Sequence, residues 1–127
     1  MICYSPMASG ILTDTFSAAR VAAMAADDWR RRPPSFNEPE LSRNLSLRDA
    51  LRPIAARHGA TVAAVAVAWV TRWPGVSGAI VGARSPEQVD GWIGGATLTL
   101  ADEDLADIAD AVQATGAGEG PADPRRS

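Results

Sequence analysis

The chain has 127 residues, 12 basic and 15 acidic groups and a formal net charge of −3, and every basic group is Arg. A hydrophobic share of 46% with 21% charged residues fits a folded chain of about one domain and argues against disorder. The absence of Lys removes Schiff-base chemistry, a P-loop and any Lys-assisted proton relay carried by this chain alone. The acidic balance argues against phosphate-driven nucleic-acid binding, and one Cys with one His builds neither an internal disulfide nor a Cys/His zinc cluster.

The opening Ile2-Cys3-Tyr4 is a short apolar run stopped by Ser5-Pro6, and it reads as the end of a strand entering a loop. It lacks the basic region and apolar run of a secretory signal, and no window reaches about 18 uninterrupted apolar residues; a cytoplasmic chain with no membrane partner is expected. Cys3 reads as a buried, inert thiol. After Gly10-Ile11-Leu12-Thr13 comes an Ala-rich stretch, Ser17 to Ala26, and then an excursion over residues 27–44. Pro33-Pro34 forbids a continuing helix there, while Trp29 and Phe36 favour an ordered loop over a linker. Asp27-Asp28 beside Arg30-Arg31-Arg32 reads as a solvated patch that neutralises itself.

The spacing predicts a helix over about 42–58 with Leu47, Leu51, Ile54 and His58 on one face. Pro53 should kink it or delay its start, and Gly59 is its stop. Thr61 caps a second helix with Val62, Val65, Trp69 and Trp73 at helical spacing, apolar almost all round, ended by Pro74-Gly75. The run Val76 to Ala83 is uncharged and non-alternating, as in a parallel strand buried on both faces. Ser85-Pro86-Glu87-Gln88 is a capping box opening a short helix that stops at Gly94-Gly95. A last helix spans about 102–114 with Leu105, Ile108 and Val112 inward. From Gly116 to the end, Gly, Pro, Asp and Arg predict a disordered tail. This α/β order implies parallel strands, and two strands alone do not cover a parallel sheet, so the pattern reads as part of a larger one.

Ligands of parallel α/β folds bind at the carboxyl ends of strands. One such end is Tyr4 to Gly10. The other is Ile80 to Ser85, where Gly82 permits close backbone approach, free N–H groups of a helix start favour an anion and Arg84 adds a forked donor. An ordinary strand-to-helix turn with a solvated Arg is the alternative. His58 reads as a partly buried or capping side chain with no nucleophile partner, and Trp69 and Trp73 as core.

Taken together and in order, Tyr4-Ser5-Pro6-Met7-Ala8-Ser9-Gly10-Ile11-Leu12-Thr13, Arg43-Asn44-Leu45, Ile54 to Gly59, Val65 to Val70 and Ala79 to Gln88 resemble the C-terminal part of an aldo-keto reductase. The likeness covers about residues 2–112. It implies a C-terminal fragment of a (β/α)8 TIM barrel, with residues 1–115 as strands seven and eight, their helices and a final helix, and 116–127 as tail. It implies an NADP(H)-dependent oxidoreductase acting on aldehydes and ketones. Tyr4 would stack on nicotinamide, and Ser5, Pro6, Met7, Ser9 and Gly10 would line the pyrophosphate. Gly82, Ala83, Arg84 and Gln88 would surround the adenosine end, with Arg84 favouring a 2′-phosphate. Residues 14–44 would form the lid.

Three departures accompany the resemblance. Val81 stands where many members have Pro, and Gly91-Trp92 replaces a Glu-Asn pair that holds the adenine; Trp92 cannot supply those amide hydrogen bonds and offers stacking instead. No residue matches the family's catalytic Asp, Tyr, Lys and His, and a full barrel takes about 250 residues. The expectation is therefore a chain without a catalytic residue or metal site of its own, from a truncated gene or a misplaced start, inactive alone. The alternatives are a nucleotide-binding or self-associating half-barrel module with exposed strand edges, and a helical interaction protein.

Overall fold

Seven regular elements follow from local chemistry. In the computed structural model, which describes residues 1–126, they are β1 (Ile2–Tyr4), α1 (Ala18–Ala22), α2 (Glu40–Arg57), α3 (Val62–Thr71), β2 (Gly78–Ile80), α4 (Pro86–Ile93) and α5 (Asp102–Thr115). Thr61 caps α3 by accepting the Ala64 N–H, Ser85 caps α4 by accepting the Gln88 N–H, and Gly59 leaves α2 at φ 59°, the left-handed conformation that glycine takes without strain. Helix α2 begins two residues before the expected Ser42, because the Glu38 carboxylate accepts both the Ser42 N–H and its hydroxyl. Pro53 lies inside α2 without shifting its start. Its ring is exposed, and its neighbours Leu51 and Ile54 are anchored in the core, so packing carries the helix past the missing donor.

Helices α2, α3 and α5 enclose the main core: Leu51, Ile54, Ala55, Val62, Val65, Ala68, Leu100, Leu105 and Ile108, with Trp69 and Val112 packed against it. Gly95 lets the turn after α4 approach α3, because a Cβ there would lie 2.6 Å from the Ala64 carbonyl oxygen. The excursion between β1 and α2 is ordered around a second core of Ile11, Phe16, Phe36 and Leu41. Arg48, only 7% exposed, donates from one guanidinium nitrogen to the Phe16 and Thr13 carbonyls at 2.6 and 2.9 Å and so fastens that loop to α2.

β1 and β2 form a parallel two-stranded sheet in which Ile2, Cys3 and Tyr4 face Gly78, Ala79 and Ile80. The sequence pattern called for a strand buried on both faces, and the structure corrects this. Ile2, Tyr4 and Ile80 are 64, 82 and 63% exposed, because among the described residues neither a further strand nor a second layer covers that side. Cys3 is correspondingly half-buried rather than buried. The tail also departs from the expected disorder: α5 ends at Gly116 with φ 65°, Ala117 and Pro124 are buried, and the Arg125 guanidinium donates to the Asp102 carbonyl, closing residues 117–126 back along α5. Apolar anchorage at both ends of this segment offsets its Gly- and Pro-rich composition.

No single helix among the described residues is long and apolar enough to cross a membrane; α2 and α3 together would be, but they meet at a 91° bend, and residues 62–68 of α3 are buried in the core.

Candidate functional site

The carboxyl ends of β1 and β2 open, side by side, onto one cleft of about 710 Å³. Ser5, Pro6, Met7, Ser9 and Gly10 line it from the first strand end, and Gly82, Ala83, Arg84 and Gln88 from the second. Nine of the ten residues singled out from the sequence therefore converge. The tenth, Tyr4, sits at the end of β1 with its ring largely in solvent and outside the lining.

The two strand ends are built differently. In the first, Ser5, Ala8 and Ser9 all have positive φ, at 53°, 49° and 55°, and Gly10 follows at 100°. Three non-glycine residues in this region concentrate strain in one loop, a pattern characteristic of ligand-handling segments. The loop is fixed by the Ser5 carbonyl accepting the Ala8 N–H, by the Met7 carbonyl accepting the Gly10 and Leu12 N–H groups, and by the Thr13 hydroxyl donating to the Gly10 carbonyl at 2.7 Å.

At the second strand end the N–H groups are less open than the sequence suggested. Pro86 has none, the Gln88 N–H meets Ser85, and the Glu87 carboxylate lies against its own N–H and the Ser85 hydroxyl, which hold it below the ordinary carboxylate value. The Gln88 side chain turns back to accept the Arg84 N–H at 2.7 Å rather than closing the box on Ser85. An anion here meets the Arg84 guanidinium first, and the helix start only where it displaces Glu87.

The opposite wall comes from the excursion, which sequence reasoning assigned as a lid without naming its contacts. Phe16, Arg20, Trp29 and Arg30 all line the cleft. Trp29 packs edge-on against Phe36, with ring centroids 6.3 Å apart. Arg30 is locked by Asp28, Nε and one terminal nitrogen donating to the two carboxylate oxygens at 3.0 and 2.5 Å. That fork, with the Arg30 N–H and the nearby Arg84 charge, takes the Asp28 carboxyl down to about 2. Among the described residues the expected solvated patch reduces to the half-buried Asp28–Arg30 pair, and Arg30 belongs to the cleft. Arg20 and Arg84 have no carboxylate within 4.0 Å among the described residues. Thr61, Gly91 and Trp92 also line the cleft, the Thr61 hydroxyl donating to the Gly91 carbonyl. Trp92, which the resemblance set in place of an adenine-holding residue, thus lies in the cleft lining.

His58 lies elsewhere. Its Nε2 is 2.7 Å from Asp104, a 1% exposed carboxylate that also accepts from Arg57 and from the Ala101 N–H. This network ties the end of α2 to the start of α5 and is structural. No group of three or more metal-ligating side chains occurs among the described residues.

The sequence profile of the aldo/keto reductase family matches residues 1–113. The chain belongs to the aldo/keto reductase family. This aldo/keto reductase chain is 32% identical over 108 residues to an aldo-keto reductase of Bacillus subtilis, covering 84% of the chain and 32% of that relative. It is 26% identical to an NADH-specific methylglyoxal reductase of Escherichia coli, over 87% of the chain and 33% of that relative. Its structure superposes on a glycerol dehydrogenase of Gluconobacter oxydans with a TM-score of 0.79 and 28% identity, covering 94% of the chain and 36% of that one. The α/β fold is therefore shared with part of an aldo/keto reductase barrel, and the chain spans about a third of the length of the relatives it matches.

Proposed function

We propose that this chain supplies the cofactor-binding end of an NADP(H)-dependent aldo-keto reductase that reduces aldehydes or ketones, with β1 and β2 standing where barrel strands seven and eight stand. The single observation that carries this reading is the convergence of both strand ends on one cleft. Its volume lies within the range of small-molecule and cofactor sites, roughly 300–1,000 Å³. The residues present fit a dinucleotide. The hydroxyls and strained backbone of the first strand end suit a pyrophosphate, and the Arg84 guanidinium suits a phosphate on the adenosine ribose. Tyr4, at the end of β1 and largely in solvent, would cover the nicotinamide ring.

When bound, the reduced nicotinamide supplies the hydride that a carbonyl carbon accepts. The chain's own residues would bind and orient it: the Ser5 and Ser9 hydroxyls would hydrogen-bond to phosphate oxygens, Arg84 would pair with the distal phosphate, and Trp29 and Arg30 would line the cleft beside it. None of the cleft residues forms the Asp, Tyr, Lys and His set that would donate the proton to the carbonyl oxygen. We therefore expect cofactor binding without turnover from these residues alone.

Calorimetric titration of the chain with NADPH and NADH tests this. NADPH should bind more tightly, Arg84→Ala should abolish most of the difference, and a broad aldehyde panel should show no cofactor consumption. Equal or absent binding of both cofactors contradicts the reading.

A second reading, a self-associating half-barrel, is favoured by one observation: Ile2, Tyr4 and Ile80 form an apolar sheet face, flanked by open strand edges. A concentration-dependent mass in solution supports it, and a strict monomer opposes it.

A further inference from the structure

We propose that four copies of this chain close a ring, β1 of each pairing with β2 of the next to make one eight-stranded parallel barrel, an inference that rests on the self-associating reading above and not on the cofactor reading. The sheet is covered on one side only. Helix α3 lies against β2, and Cys3 and Ala79, paired across the strands, are partly buried. Alternation along the strand puts Ile2 and Tyr4 on the other side, and the register sets Gly78 and Ile80 beside them. There Ile2, Tyr4 and Ile80 are each more than half exposed. Parallel sheets occur with both faces covered, so this face lacks a layer.

The strand edges decide which arrangement of copies supplies it. Among the described residues the sheet has no third strand, so β1 and β2 each keep one open edge. Two β1 edges meeting about a two-fold axis run antiparallel and leave both β2 edges open. Two copies packed face to face bury the apolar side and leave every edge open. Pairing β1 with a neighbour's β2 continues the parallel order, and such a head-to-tail interface ends only where rotation closes a ring. Side chains just fill the interior of a barrel of about eight strands, and two strands per copy reach that number with four copies. Such an interior holds roughly three layers of four side chains. Ile2, Tyr4 and Ile80 supply one layer each, and Gly78 adds no bulk. None of these inward positions is Asp, Glu or Arg, so the net charge of −3 lies outside the interior.

Sedimentation velocity and native mass spectrometry of the full chain at rising concentration read the assembly directly. The expected species has four times the 13.3 kDa mass of the chain. Ile80→Asp puts a carboxylate from every copy into the interior and should leave only monomer, whereas Ile80→Leu should keep the tetramer. Both variants should stay folded by circular dichroism, because Ile80 is exposed in the single copy and belongs to neither core. Strand amides of residues 2–4 and 78–80 should gain hydrogen-exchange protection with concentration in the natural chain and not in Ile80→Asp. A discrete dimer, or a series of species with no stop at four, overturns the ring and leaves self-association standing. A monomer at every concentration overturns both. A tetramer that persists in folded Ile80→Asp overturns the placement of this face inside it.

Discussion

Asp104 is the carboxylate on which the junction of α2 and α5 depends, and its removal should be costly out of proportion to its size. It is 1% exposed and accepts three hydrogen bonds, from Arg57 at 2.8 Å, His58 at 2.7 Å and the Ala101 N–H at 2.8 Å. Bonds to a charged group contribute about 1.5–3 kcal/mol each, and Arg57, 41% exposed, recovers water when its partner is lost. Asp104→Ala should therefore destabilise by about 3–4 kcal/mol, near the cost of breaking a buried ion pair, and lower Tm by about 10–15 °C. Asp107→Ala removes an exposed partner of the same Arg57 and should cost under about 1 kcal/mol.

The acid limb of stability supplies a second readout. Burial pushes the Asp104 carboxyl up, but the Ala101 N–H, His58 and Arg57 together outweigh it and hold it below its ordinary 3.8. A carboxyl held low when folded stabilises above its unfolded value and loses that contribution as pH falls through the folded one. The natural chain should lose this stabilisation below about pH 4, and Asp104→Ala should show a shallower loss there. Chemical denaturation of the three chains at pH 7 and pH 3 measures both effects. A loss for Asp104→Ala no larger than for Asp107→Ala would refute the reasoning.

Gly95→Ala should destabilise by about 2 kcal/mol, because its Cβ would meet the Ala64 carbonyl oxygen and the Val67 Cβ, at 2.6 and 2.7 Å, and the carbonyl cannot yield cheaply; a denaturation midpoint unchanged from the natural chain would contradict the close approach. Arg48→Ala should cost about 2–3 kcal/mol and expose the amides of residues 13–16 to hydrogen exchange, with Arg48→Lys restoring only part, since an ammonium that serves the two carbonyls loses the separate Nε–H bond to Asp49. Phe36→Ala empties the centre of the second core, where Phe16 and Trp29 meet it edge-on, and limited proteolysis should then cut within residues 14–39 before the helices α2, α3 and α5 open.

The helix boundaries that were legible are those written in local chemistry. Thr61, Ser85-Pro86 and Gly59 each do in the structure what their side chains or their lack of one allow. The start of α2 was not legible, because the Glu38 carboxylate that caps it lies outside the expected helix and competes with a plausible Ser cap. The fate of Pro53 depended on tertiary anchorage of Leu51 and Ile54, which no local window contains. For the cleft, both strand ends were visible as turn chemistry after apolar runs. The contribution of Arg20, Trp29 and Arg30 was not, because it depends on a 30-residue excursion folding around Phe16 and Phe36. Strand burial was misjudged for a related reason. An uncharged run such as Val76 to Ala83 reports what a strand tolerates, whereas exposure of Ile80 reports which neighbours it has.

The central claim is that the ends of β1 and β2 together hold a nicotinamide dinucleotide. The most direct test is amide chemical-shift mapping of the chain on titration with NADPH. Shifts should concentrate at Ser5, Met7, Ser9, Gly10, Gly82, Arg84 and Gln88, with Arg57, Asp104 and Asp107 at the α2–α5 junction unmoved. Shifts absent from both strand ends, or concentrated along α5 and the tail, would contradict it.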